Sequence, residues 1–140
     1  SSIQILSKLF ENKEIQKTYH AICIGKIKSS GSINIPIENK ESETIFEVLE
    51  TVTSKRFEYL NLVKLSPKTG RKHQLRIHLS EIENQLLGDK EYGNSEFILN
   101  GKGLYLHASS LEFTHPFTQE KISITKELPK KFRKIFPNEN

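Results

Sequence analysis

The feature that most constrains this chain is a change of hydrophobic period across a single turn. Before Pro67-Lys68-Thr69-Gly70, Leu60, Leu62 and Val63 sit in a strand-like segment from Phe57 to Leu65. After it, Leu75, Leu79, Ile82 and Leu86 recur at i, i+4, i+7 and i+11, the stripe of an amphipathic helix. A Pro- and Gly-bearing turn is the punctuation expected between two such elements. The chain must therefore lay a helix against the sheet its strands form.

The remaining pattern extends the sheet. Tyr19, Ala21, Cys23 and Gly25 alternate with His20, Ile22, Ile24 and Lys26, which predicts a strand. Ser32 to Ile37 predicts a short extended piece, and Thr44 to Thr53 alternates again. Leu104 to Phe113 and Ile122 to Ile124 read as further strands. Ser2 to Glu14 predicts a short helix on Ile3, Leu6, Leu9 and Phe10, and Pro129 to Phe136 a terminal helix with Pro at its start. No internal repeat interrupts this order. Many strands with few helices indicate an α+β fold with a mixed, largely antiparallel sheet and a few flanking helices.

Composition and charge narrow the partners. The chain has 140 residues, which suits one domain, and eight Phe and four Tyr argue against wholesale disorder. No apolar run is long enough to span a bilayer, and no secretory signal opens the chain, so no membrane partner is expected. Cys23 is the single cysteine, so an intrachain disulfide is impossible; a metal site is not expected, and a reducing cytoplasm fits best. Between Lys55 and His78 seven basic residues face one acid, Glu58, which leaves the rest of the chain net negative. Only four of the 21 basic residues are Arg, and Arg71 and Arg76 lie close together. The rigid guanidinium fork suits phosphate or carboxylate where geometry matters. A second cluster, Lys126, Lys130, Lys131, Arg133 and Lys134, fits either a polyanion or simple solubility.

The richest stretch is Thr69-Gly70-Arg71-Lys72-His73-Gln74-Leu75-Arg76-Ile77-His78-Leu79. It joins a strand end, a turn and a helix start, and crowds Arg71, Lys72, His73, Gln74, Arg76 and His78 there. An anion-binding corner and a solvated polar face over the Leu75, Leu79 and Ile82 core both explain it. His73 and His78 are five apart and form no metal-ligand pattern.

This stretch closely resembles the TGRxHQLRxH signature of the ribosomal large-subunit (RluA-type) RNA pseudouridine synthases. Three further segments resemble that family in the same order. Lys17-Thr18-Tyr19-His20-Ala21 resembles its K-x-Y-x-A strand, and Gly88-Asp89-Lys90-Glu91-Tyr92-Gly93 its GDxxYG loop. Leu106-His107-Ala108, Leu111, Phe113 and His115-Pro116 resemble its LHA…L…F…HP strand. The likeness runs from about Phe10 to Pro129.

The resemblance implies an isomerase that converts uridine in rRNA or tRNA to pseudouridine, with RNA as partner and no metal or organic cofactor. It implies that Tyr19 packs on the uracil and that Arg76 pairs with a catalytic aspartate. Lys17, Arg71, Lys72, His73 and Gln74 are the candidate RNA contacts. Asp89 is expected to support its loop, not to act in the chemistry.

The family's aspartate lies in an HRLD motif, and residues 1–140 contain none. The expectation is that it lies upstream of Ser1. The absence of any Met, even at position 1, points the same way. Residues 1–140 are thus expected to be a single domain, the C-terminal part of a synthase catalytic domain, inactive alone and open to dimerisation through the surface so exposed. The alternative is a non-catalytic RNA-binding module with the same fold. Glu83-Asn84-Gln85 also stands where the family usually has Gly-His-Pro before its GDxxYG loop.

Overall fold

The computed structural model describes residues 15–94 and 103–139. The helix expected over Ser2 to Glu14 lies outside the described residues. The chain order is β1 (Gln16–Ile24), β2 (Ser30–Ile33), β3 (Thr44–Ser54), β4 (Glu58–Pro67), α1 (Gln74–Glu81), β5 (Leu106–Thr114), β6 (Lys121–Thr125) and α2 (Lys130–Ile135). The six strands form one sheet in the order β2-β3-β4-β1-β5-β6, and every pairing among them is antiparallel. This is an α+β fold.

Strand β1 lies inside the sheet, between β4 and β5. Its sequence explains the position. Ala21, Ile22, Cys23 and Ile24 are all buried, so both faces of its second half are apolar. Ala21 and Cys23 join Phe46, Val63, Leu65, Leu75 and Leu79 on the α1 side. Ile22 and Ile24 join Leu60, Leu62, Phe132 and Phe136 on the α2 side. Burial pushes the Cys23 thiol up to about 12, so it is an inert core group. The first half of β1 is less covered, and there Lys17, Tyr19 and His20 stand.

Helix α1 is shorter than its stripe predicts. It ends at Glu81, because Glu83 takes a left-handed backbone with φ +65°. Asn84 then donates its amide to the carbonyls of Ile24 and Lys26. The chain continues extended beside β1. Ile24 donates to the Gln85 carbonyl, Leu87 donates to that of Ile22, and Leu86 pairs with Cys23. Leu86 thus reaches the α1-side core and Leu87 the other. Leu86 belongs to the core by strand alternation, not by helical spacing.

The same segment requires Gly88. Its φ is +83°, and a Cβ there would run into the carbonyl of Gly103. The loop carrying Asp89 is thereby held against the chain entering β5.

His78 does not join the donors at the start of α1. It is fully buried; its Nε2–H donates to the Ile35 carbonyl (2.8 Å), and its Nδ1 shares a hydrogen bond with the Thr44 hydroxyl (2.8 Å). A carbonyl can only accept, so Nε2 carries the proton of that bond. A helical turn beyond Gln74 carries this ring into the core, where it ties the segment after β2 to β3. No described helix is long and apolar enough to cross a membrane.

Helix α2 and the residue after it cover the opposite face through Phe132 and Phe136, both completely buried. Phe132 packs against Tyr105, with ring centroids 5.6 Å apart. Phe132→Ala should lower unfolding free energy by about 3–5 kcal/mol in a urea titration. A loss below about 1 kcal/mol would show that α2 does not close this core.

Candidate active site

A cleft of about 1040 Å³ opens where three elements meet. The first half of β1 contributes Lys17 and Tyr19. The turn after β4 contributes Lys68, Thr69, Gly70 and Arg71. The start of α1 contributes His73, Gln74 and Arg76, while Leu104 and Leu106 add an apolar wall. Antiparallel pairing places the β1 start beside the β4 end, with Tyr19 opposite Leu65. On the other side the β1–β5 register shifts between Thr18 and Tyr19. Such an irregularity can re-aim side chains at a strand edge.

Tyr19 is half-buried in this cleft, and burial raises its phenol above the ordinary range. It is neutral near pH 7 and presents a flat apolar ring. Burial also lowers the Lys17 ammonium from its usual value.

Gln74 is the structural pin of the corner. Its amide donates to the Glu43 carbonyl (2.9 Å) and the Thr44 hydroxyl (3.0 Å). Its oxygen accepts from the Thr69 hydroxyl (2.6 Å) and the Arg71 backbone N–H (3.1 Å). Those four bonds use the full capacity of the side chain. Gln74 therefore ties the turn to β3 and has no donor left for a ligand. Arg71 is anchored too, since Nε and Nη2 both donate to the Glu41 carbonyl (3.0 and 2.7 Å).

Arg76 is fixed from below. Its Nε and Nη2 donate to the two oxygens of Asp89, at 3.1 and 2.9 Å. This fork-on-carboxylate geometry sets both position and plane. The Asp89 side chain has no solvent exposure, whereas Arg76 keeps 19%. Asp89 Oδ1 also accepts the backbone N–H groups of Glu91 and Tyr92, both at 3.0 Å. Burial pushes the Asp89 carboxyl upward. Hydrogen bonds from Arg76, Tyr92 and Glu91 outweigh it and hold the group below the ordinary carboxylate range. The Asp89 hydrogen bond likewise raises the Arg76 guanidinium. Tyr92 lies under the guanidinium, 5.1 Å from its ring centroid. Among the described residues, no group of three or more His, Cys, Asp or Glu side chains gathers as a metal site.

One cleft thus brings together Tyr19, Arg76, Lys17, Arg71, His73 and Gln74. Lys72 is exposed and is not part of its lining.

The first 81 residues match the family model described as RNA pseudouridylate synthase. The chain belongs to that family. It is 29% identical over 156 residues to tRNA pseudouridine synthase C of Vibrio vulnificus, covering 91% of this chain and 64% of that protein. It is 35% identical over 130 residues to the dual-specificity RNA pseudouridine synthase RluA of Haemophilus influenzae, covering 84% and 59%. The solved structure of human RNA pseudouridylate synthase domain containing 1 superposes with a TM-score of 0.75 at 28% identity, covering 90% of this chain and 59% of that one. The chain spans less than two thirds of the length of each.

Sequence pattern alone missed Glu91 as a neighbour of Arg76 and His73. It also missed Leu104 and Leu106 as the apolar wall, and Thr44 as the group linking Gln74 to His78. An acid in a loop carries no mark of the guanidinium it will meet, and pairing across the sheet is invisible to local pattern. The GDxxYG likeness did flag Asp89 and Tyr92, though not their contact with Arg76.

Asp89→Asn should cost about 1–3 kcal/mol of stability near neutral pH, because a buried donor–acceptor set loses its charge. The ionised Asp89 stabilises the fold above its unfolded pKa, and that contribution is lost as pH falls through the lower folded value. The gap between wild type and variant should begin to close below about pH 4 in urea titrations. A gap independent of pH would contradict the assigned ion pair.

Proposed function

We propose that the protein isomerises uridine in RNA to pseudouridine. The observation that carries this reading is the single cleft in which an apolar, neutral Tyr19 ring and a rigidly held Arg76 line the same space. The reaction breaks the bond between ribose C1′ and uracil N1, turns the base and rejoins C1′ to C5; C5 then gives up its proton and N1 takes one up, so that product and substrate are isomers. The base must leave its stack to be reached, and unstacking costs a few kcal/mol. Tyr19, with Leu104 and Leu106, offers a surface to offset that cost. Lys17, Lys68, Arg71 and His73 line the same cleft and suit the RNA backbone.

Asp89 is unsuited to act on the sugar. Its side chain is sealed from solvent, both oxygens face Arg76, and it is not part of the cleft lining. The reacting aspartate in this reading comes from sequence outside residues 1–140. Asp89 serves Arg76: with Nε and Nη2 engaged, the guanidinium is left to offer Nη1 to a second carboxylate. That carboxylate stays ionised beside the positive charge. RNA, either ribosomal or transfer, is the proposed substrate class.

The test uses the full-length protein and an unmodified transcript, with nucleosides separated by chromatography after digestion. Wild type should form pseudouridine. Arg76→Ala should cut turnover by about 100-fold or more, the scale for losing an aligned charged donor at a reacting centre. Tyr19→Phe should cost much less than Tyr19→Ala if the ring face is what matters. Absence of pseudouridine with wild type across rRNA and tRNA transcripts would overturn the reading.

A further inference from the structure

The proposed chemistry leaves one charged group without a task. The Oε2 atom of Glu91 lies 3.3 Å from Nδ1 of His73 and 3.5 Å from Nη2 of Arg76. Both donors line the cleft; Glu91 reaches them from the loop after Asp89. Arg76 does not need this second acid, since the buried Asp89 already pairs with it at two points. The Glu91 side chain is 54% exposed, and an exposed pair of this kind is weak and screened by salt.

The two donors do not depend on Glu91 for position. Tyr92 holds both. Its hydroxyl lies 2.9 Å from Nδ1 of His73, and the two rings meet edge to face at 5.7 Å. The same Tyr92 ring packs against the Arg76 guanidinium. Removing the Glu91 carboxylate would therefore leave Arg76 Nη2 and the edge of the His73 ring at the cleft, held in place by Asp89 and Tyr92 and facing the place where an anionic oxygen had been.

We propose that His73 and Arg76 form a subsite for an RNA backbone phosphate, and that the Glu91 carboxylate occupies it until RNA displaces it. A phosphodiester matches the carboxylate in charge and can lie, as it does, beside a guanidinium and an imidazole edge. RNA is favoured over a free anion because Lys17, Lys68 and Arg71 line the same cleft. A strand can meet several of them at once and release counterions as it does. Glu91 then acts as a built-in competitor that weakens RNA binding at this subsite. The proposal rests on the reading of the cleft as an RNA site.

The experiment measures binding of a fluorescein-labelled decauridylate RNA to the full-length protein, wild type against Glu91→Gln, across a salt series. Glu91→Gln should tighten binding about two- to fivefold at low salt, the scale of one exposed ion pair, and the gain should fade as salt rises. Glu91→Lys should tighten it further, and adding His73→Ala to Glu91→Gln should remove much of the gain. NMR should place the RNA-induced shifts of Glu91→Gln on the His73 ring and Arg76 Nε. Equal affinities for wild type and Glu91→Gln, or shifts confined to other residues, would overturn the proposal. A gain seen with inorganic phosphate but not with decauridylate would overturn its assignment to RNA. Loss of pseudouridine formation in wild type would count against the proposed reaction, while the binding comparison would still decide the role of Glu91.

Discussion

The architecture depends on strand β1 being buried on both faces over Ala21–Ile24. A strand in that position needs apolar cover on each side, and the two helices supply it from opposite faces. Helix α1 contributes Leu75 and Leu79 to the core that holds Ala21 and Cys23, while Phe132 of α2 and Phe136 just beyond it join the core that holds Ile22 and Ile24. Because α1 is held there by its core contacts, its first turn stands over the less covered first half of β1. The cleft is the space left where the apolar half of β1 gives way to its polar half.

Within that frame the decisive local interaction is the buried ion pair of Arg76 and Asp89. A carboxylate sealed from water is costly unless its charge and lone pairs are met. Here a guanidinium and two backbone N–H groups meet them. The result is a loop ordered around Asp89 and an arginine with one defined plane. Gln74 does the equivalent for the turn before α1 with four neutral hydrogen bonds. Both are devices of preorganisation: they spend side chains that look like ligand donors on holding other side chains still.

Much of the fold is legible locally. The alternation of Tyr19 to Ile24 and of Thr44 to Thr53, and the turn at Pro67–Gly70, correspond to real elements whose ends shift by a few residues. The extent of α1 is not legible, because Leu86 lies in step with the helical stripe by coincidence. Its burial comes from pairing with Cys23, a contact between positions far apart in sequence. The donor-rich stretch is equally ambiguous when read alone. Arg71, His73 and Arg76 line the cleft, yet Gln74 and His78, of the same polar character, are consumed by Glu43, Thr44 and Ile35.

The sequence by itself determined the class of fold, the family likeness through four ordered motifs, and the short list from which the cleft residues come. Side-chain periodicity and turn chemistry are local properties, so they survive in one dimension. Only the tertiary structure decided which donors remain for a ligand and which are satisfied internally. That choice depends on acceptors brought in by other strands and loops: Asp89 beneath Arg76, Thr44 between Gln74 and His78, and Glu91 beside His73. Hydrogen bonds and ion pairs act over a few ångströms in space, and the chain places those partners together only by folding.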